Sequence, residues 1–216
     1  MQQPKTISDY RQALKGRILT CAMNMFAKHG IKAVKMDDIA SALGISKRTL
    51  YEIYANKEVL LFEGIKSHQE TQMTAIQDVA AKASNVMDVV MFIYHQKSQE
   101  LEQTSSLFMD DVQRYPNVLE YLDCERQKYR DVYLKFMERG VKEGFFRPDV
   151  NYQLISHLFE ALGNHMRRHQ LYQQYSSREL FNSLMFVTLR GFCTPKGVQV
   201  LDTIMGETSR NDDECD

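Results

Sequence analysis

Tryptophan is absent from this 216-residue chain, and glycine (10), proline (4) and cysteine (4) are scarce. So few turn formers leave too little punctuation for the many short connections of an all-β fold, and helices are the expectation. Cys21, Cys124, Cys193 and Cys215 stand far apart without paired spacing, which argues against a disulfide framework or a structural zinc site and for reduced thiols. A redox-sensing thiol would need an electropositive, exposed setting, and no neighbouring cluster supplies one. Long hydrophobic runs are missing too. The longest, Val89 to Tyr94 and Leu184 to Val187, fall far short of the roughly 20 residues of a membrane span, and the first 30 residues carry no signal-peptide core. The expected location is cytoplasmic, with no membrane partner.

What is present suffices for a core. Hydrophobic residues make 44% and charged residues 25%, too apolar for a disordered chain, and this length can bury well over half of its unfolded surface without a staple. The net charge of −1 hides an asymmetry: residues 1–60 hold ten Lys or Arg against five Asp or Glu, residues 61–216 seventeen against twenty-three. A basic end on an acidic body suits a polyanion contacted by one end only.

From Asp9 to His29, Leu14, Ile18, Ala22, Met25 and Phe26 recur at the spacing of one helix face, and Gly30 stops the run. Met36, Ile39, Ala40 and Leu43 repeat it before Gly44, with Asp37 and Asp38 in the first turn, where acidic residues favour the helix dipole. Ser46 then caps a short helix from Lys47 to Tyr54. Two short helices joined by a glycine turn form a helix-turn-helix pattern, in which Ala40 and Gly44 permit a close crossing and Ile39, Ile45 and Leu50 lock it. The second helix exposes Lys47, Arg48, Thr49 and Tyr51. Long cationic donors near the start of such a helix are what guanine edges in the major groove require. Any amphipathic helix pair with two basic residues shows part of this pattern, so the surrounding residues decide.

Those residues run from Arg17-Ile18-Leu19 through Ala22, Phe26, His29-Gly30, Asp38-Ile39-Ala40, Leu43 to Ser46, Thr49-Leu50-Tyr51, Tyr54 and Lys57-Glu58 to Leu60-Leu61. Over about residues 11–62 the chain resembles the N-terminal DNA-binding domain of the TetR family of transcriptional regulators. The resemblance implies an all-α fold: a three-helix helix-turn-helix domain over 1–56, and an all-helical effector-binding and dimerisation domain over 57–206. Residues 207–216 read as a loose acidic tail. It further implies a homodimeric repressor on a double-stranded DNA operator, released when a small hydrophobic effector tilts helix four, with no cofactor.

Carried over by position, Lys47 and Arg48 read bases, Ser46 and Thr49 touch base or backbone, and Tyr51 and Lys57 bond phosphates. The chain departs from the family pattern twice. Lys35 stands where Thr or Ser usually caps helix two, and extends toward a phosphate instead; Ile53 replaces a His or aromatic residue and loses a backbone contact.

Beyond Asn56 the pattern predicts helices from Lys57 to about Ala83, Val86 to Gln103, Leu107 to Tyr115, Val118 to Gly144, Tyr152 to Gln174 and Arg178 to Phe192, with Pro116, Pro148 and Pro195 in the gaps. Leu119, Leu122, Tyr129, Tyr133 and Phe136 form one stripe on the fourth of these. By the resemblance the effector lies among the middle helices, lined by Met91, His95, Phe108, Met109, Tyr129 and Tyr133; core packing is the alternative for each. The last two helices carry apolar faces, Leu154 to Met166 and Leu180 to Leu189, that either join a second subunit or close the monomer core. His157, His165 and His169 lack a third ligand type on the same turn, and Arg167 and Arg168 oppose a cation, so no metal site is expected. With no GxSxG, HExxH, P-loop or dinucleotide motif, catalysis is not expected. A helical protein-interaction module with a basic end is the competing non-enzyme reading.

Overall fold

The structure, a computed structural model, describes residues 7–203; the tail expected over 207–216, with Cys215, lies outside them. Its helices are α1 (Ile7–His29), α2 (Met36–Leu43), α3 (Lys47–Ile53), α4 (Lys57–Lys82), α5 (Val86–Gln103), α6 (Ser106–Val112), α7 (Pro116–Lys128), α8 (Arg130–Lys142), α9 (Tyr152–Arg168) and α10 (Ser177–Phe192). A 3-10 turn, Leu171–Gln173, precedes α10, and residues 195–203 are helical again. Among the described residues there is no strand, only an isolated bridge between Phe146 and Cys193. The fold is all-α.

Two compact units divide the chain. Unit 1 runs up to Met73 and takes in Gln103–Leu122; unit 2 comprises Thr74–Glu102 and the chain from Asp123 onward. These packing units differ from a division at Asn56, because distant segments close the first one. Its core sets Leu14, Ile18, Ala22 and Phe26 of α1 against Ile39, Ala40, Leu50, Tyr54, Leu60 and Leu61, all nearly inaccessible to solvent. The connection from α1 to α2 is then fastened from outside. Lys57 Nζ donates to the carbonyls of Ile31 at 2.7 Å and Val34 at 2.9 Å, and at 3.5 Å to that of Lys32. Asp111 on α6 accepts from the Lys32 N–H at 2.7 Å, and the Ser105 N–H donates to the carbonyl of Ala27 at 2.8 Å. Gly30 has a φ of 82°, and a Cβ there would stand 3.0 Å from that of Leu107, so both the turn and the approach of α6 require glycine.

Unit 2 is built on rings. Tyr94 of α5 meets Phe186 at 5.0 Å and Phe181 at 5.9 Å, and Phe146 meets Phe192 at 5.4 Å and Phe136 at 6.1 Å between ring centres, within the range of favourable aromatic pairs. A Cβ on Gly140 would clash with the Phe146 ring, 2.0 Å from one of its carbons. Arg139 of α8 and Glu143 at its C-cap, one turn apart and bonded at 2.6 Å, join two helix ends. The guanidinium donates to the carbonyls of Ala80 and Ala83 at 3.2 and 3.0 Å, and the carboxylate accepts from the Val86 N–H at 2.7 Å. Each group meets the helix terminus whose partial charge it opposes.

Three expectations are corrected. Pro116 and Pro195 do not sit in gaps: each is the first helical residue, where a missing N–H costs nothing and the fixed φ fits. The helix expected from Val118 to Gly144 breaks at Tyr129 (φ −90°, ψ 4°), and its stripe divides, Leu119 and Leu122 packing in unit 1, Tyr133 and Phe136 in unit 2. The helix expected to reach Gln174 ends at Arg168, with Gln170 in the left-handed region at φ 51°.

Candidate nucleic-acid interface

Local chemistry sets the helix pair. At the start of α2 the Asp38 carboxylate accepts from the Lys35 N–H at 2.8 Å; the reciprocal half of a capping box is missing, because an ammonium accepts nothing. Gly44 ends α2 at φ 64° with the Ile45 N–H returning to the carbonyl of Ala40 at 3.0 Å, a left-handed C-cap that favours glycine. No atom crowds the space its Cβ would fill, so Gly44 serves the turn and not a close helix crossing. Ser46 caps α3, its hydroxyl accepting from the Thr49 N–H at 3.1 Å and lying 2.8 Å from the Thr49 hydroxyl. Leu50 is buried, Ile53 packs partly into the unit 1 core, and the outer surface is left to Lys47, Arg48 and Tyr51.

The two cations of that surface are partnered. Lys47 pairs with Asp37 of α2, and Arg48 Nε donates to Glu52 Oε1 at 2.9 Å, one turn on. The carboxylates hold both cations above their ordinary pKa, the hydrogen bond being the larger cause in each. The Arg48 side chain is still 89% exposed and that of Lys47 67%, so both pairs lie in solvent, where such interactions are weak and exchangeable. Tyr51 is 48% exposed, and Lys35, just before α2, is exposed as well.

The Lys57 ammonium, expected on a phosphate, faces three backbone carbonyls of the α1–α2 connection, where it ties that connection to the start of α4. The sequence reading also missed Asp37 and Glu52. The Arg48–Glu52 spacing was visible as an i,i+4 pair; Lys47–Asp37 was not, since it forms only once the Gly44 turn brings the two helices together.

The six residues suggested for an effector do not fall in one unit. Phe108 packs on the unit 1 core, and Met109 lies in unit 1 with its carbonyl accepting from Gln113 at 3.2 Å. Met91 and Tyr133 pack on the unit 2 core; His95 is exposed against the edge of Tyr94, and Tyr129 stands at the α7–α8 break. Tyr133 OH is buried with no partner among the described residues, and burial pushes its pKa up to about 12. Ser98 Oγ, also in unit 2, is orphaned likewise. His165 and His169 stand with ring centres 4.3 Å apart, and the described residues hold no group of three metal-ligating side chains.

Residues 18–63 match the family model of bacterial regulatory proteins of the tetR family. The HTH-type transcriptional repressor KstR2 of Mycobacterium tuberculosis is 24% identical over 146 residues, 65% of this chain and 73% of that protein. The putative mycofactocin biosynthesis regulator MftR of the same organism is 26% identical over 164 residues, 69% and 78% of the two chains. The solved structure of the ketosteroid transcriptional regulator KstR2 shares the fold with a TM-score of 0.55 at 19% identity, over 89% of this chain and all of that one. A transcriptional regulator from Saccharomonospora viridis in complex with choline does so at 0.65 and 16% identity, over 85% and 99%. These relatives are regulators and not enzymes. The capped helix-turn-helix and its exposed cations lie in the matched segment, so residues 18–63 form a helix-turn-helix domain of the TetR type, on a chain that shares the fold of such regulators.

Proposed function

We propose that the chain is a homodimeric, sequence-specific operator-binding protein, a repressor released from DNA by a small hydrophobic effector, and that it works in the cytoplasm. The observation that carries this is the α2–Gly44–α3 corner, which presents Lys47, Arg48 and Tyr51 outward from a rigid core. Arg48 and Lys47 reach base edges, Ser46, Thr49 and Tyr51 the flanking backbone, and Lys35 a phosphate at the edge. No helix among the described residues is long and apolar enough to cross a membrane.

A dimer is supported by what unit 2 leaves outside. Leu154 and Leu158 on one face of α9 are 64% and 52% exposed, and Val187 of α10 is 74% exposed. Of the two expected faces, Ile155, Phe159, Leu180, Phe181 and Leu189 pack inward within the protomer. An effector in unit 2 is supported by the buried, unbonded Tyr133 hydroxyl on its apolar core and by that of Ser98 in the same unit, groups that can anchor a ligand in an apolar lining; unit 1 holds one such hydroxyl, Tyr54, within the helix-turn-helix core. Structural neighbours include a regulator with choline and a gamma-butyrolactone receptor, consistent with small organic effectors on this fold.

The test is selection of genomic fragments by the purified protein at physiological salt with competitor DNA, followed by sequencing. A palindrome with half-sites about one helical turn apart is expected; recovery of no enriched motif overturns the reading. Effector coupling is reciprocal, so a ligand that weakens operator binding about 5- to 150-fold must itself be weakened by operator by the same factor.

A further inference from the structure

The reading helix is nearly neutral. Lys47 and Arg48 are its two cations, and each has its own carboxylate, Asp37 from the first turn of α2 and Glu52 from the last turn of α3. With Lys57 bonded to backbone carbonyls, unpaired positive charge for phosphates comes from outside α3, Lys35 being one exposed source. Affinity for DNA of any sequence comes mainly from counterions released by cations on phosphates, so a neutralised reading helix contributes little of it.

The Arg48 pair has a further geometric consequence. Glu52 takes the Nε–H of the guanidinium and, among the described residues, the two terminal nitrogens make no hydrogen bond. Those two present parallel N–H bonds end-on, the fork that fits O6 and N7 of one guanine. Glu52 is tied at its other end as well, its backbone carbonyl accepting from Arg11 of α1 at 3.3 Å. The pair is exposed and exchanges with solvent, so it biases the guanidinium toward one orientation without fixing it, and a biased group loses less freedom on binding than an unbiased one; an adjacent carboxylate also repels the acceptor edges of a wrong base or a misplaced phosphate.

We propose that Glu52 and Asp37 are positioning residues that set the ratio of specific to non-specific DNA binding, Glu52 by aiming Arg48 at a guanine and Asp37 by restraining Lys47 from phosphates. The inference rests on the operator-binding reading above, and its test is arranged so that the two fail separately.

Glu52→Gln and Asp37→Asn are isosteric changes at side chains about half exposed, so the fold is not at stake. Binding of each variant is measured on the selected operator, on operators substituted at each base pair, and on a random duplex across a salt series. For Glu52→Gln the preference at one base pair per half-site should relax about fivefold or more. The same change made in an Arg48→Ala background should have no such effect. For Asp37→Asn base preferences should hold, while random-duplex affinity rises about three- to tenfold and its salt dependence steepens by about one ion per half-site. Specific-to-non-specific ratios unchanged within twofold in both variants, or a Glu52→Gln effect that persists without Arg48, overturn the inference. If the wild-type protein selects no operator, the operator-binding reading falls first and takes this one with it.

Discussion

The cores of the two units are made of different material. Unit 1 buries Ile18, Ile31, Ile39, Leu50, Leu60 and Leu61 with one phenylalanine, Phe26, and its helix ends are closed by local caps and by side chains from α4 and α6. Unit 2 buries five rings, Tyr94, Phe145, Phe146, Phe186 and Phe192, where unit 1 adds only Tyr54 to Phe26, and it leaves Leu154 and Leu158 outside; a buried unbonded hydroxyl occurs in both, Tyr54 in unit 1 and Ser98 and Tyr133 in unit 2. The family match at 18–63 lies wholly in unit 1. B-DNA offers every reading helix a groove of the same width, which fixes the angle and spacing of the elements that enter it. A body that receives a ligand answers to that ligand alone, so its interior is free to differ.

Removing one ring from each core is the strongest way to break this comparison. Phe26→Ala and Phe146→Ala each delete a fully buried phenylalanine, and each should cost about 3 to 5 kcal/mol. Hydrogen exchange resolved by peptide locates the loss. Phe26→Ala should lower protection in residues 7–73 and 103–122, Phe146→Ala in 74–102 and 123–203. Equal loosening of both regions by either variant would show that the units are not separate in stability. Operator binding should suffer more from the first than from the second.

A smaller effect sharpens the account of unit 1. Lys57→Met keeps the side-chain stem and deletes the ammonium that serves Ile31, Lys32 and Val34. The orphaned carbonyls should cost about 1 to 3 kcal/mol, seen as a lower urea midpoint. The salt dependence of operator binding should not change, whereas loss of a phosphate contact would reduce it by about one ion per half-site.

The legible and illegible parts of the sequence divide along the same line. Gly44 and Ser46 announce the helix-turn-helix because a left-handed turn and an N-cap are decided within four residues. The core positions of α1 follow from its period. Tyr129 gave no sign, since neither glycine nor proline marks the break there, and a stripe at helical spacing looks the same whether it serves one core or two. The insertion of Gln103–Leu122 into unit 1 depends on Asp111 meeting a backbone N–H 79 residues away, which no local pattern reports. Phe108 and Met109 of unit 1 therefore carry no local mark that separates them from Tyr133 of unit 2. Proline was read only as a helix breaker at Pro116 and Pro195, although its φ also suits a first turn.

The cysteines provide the mildest test, since labelling leaves the fold intact until a thiol is reached. Cys193 is buried in unit 2 and burial pushes its pKa up to about 11; Cys21 in unit 1 is half-buried and raised by the same cause; Cys124 is exposed. Only the thiolate is alkylated. At pH 8, three units below its pKa, Cys193 holds about one thiolate per thousand, before any barrier to access. Iodoacetamide labelling followed peptide by peptide should therefore proceed in the order Cys124, Cys21, Cys193. Raising the pH from 8 to 9 should speed Cys193 about tenfold, because below its pKa each unit multiplies the thiolate by ten. Should Cys193 react ahead of Cys21, the aromatic core would be opening more readily than the aliphatic one. The contrast between the units would then be one of dynamics as well as of composition.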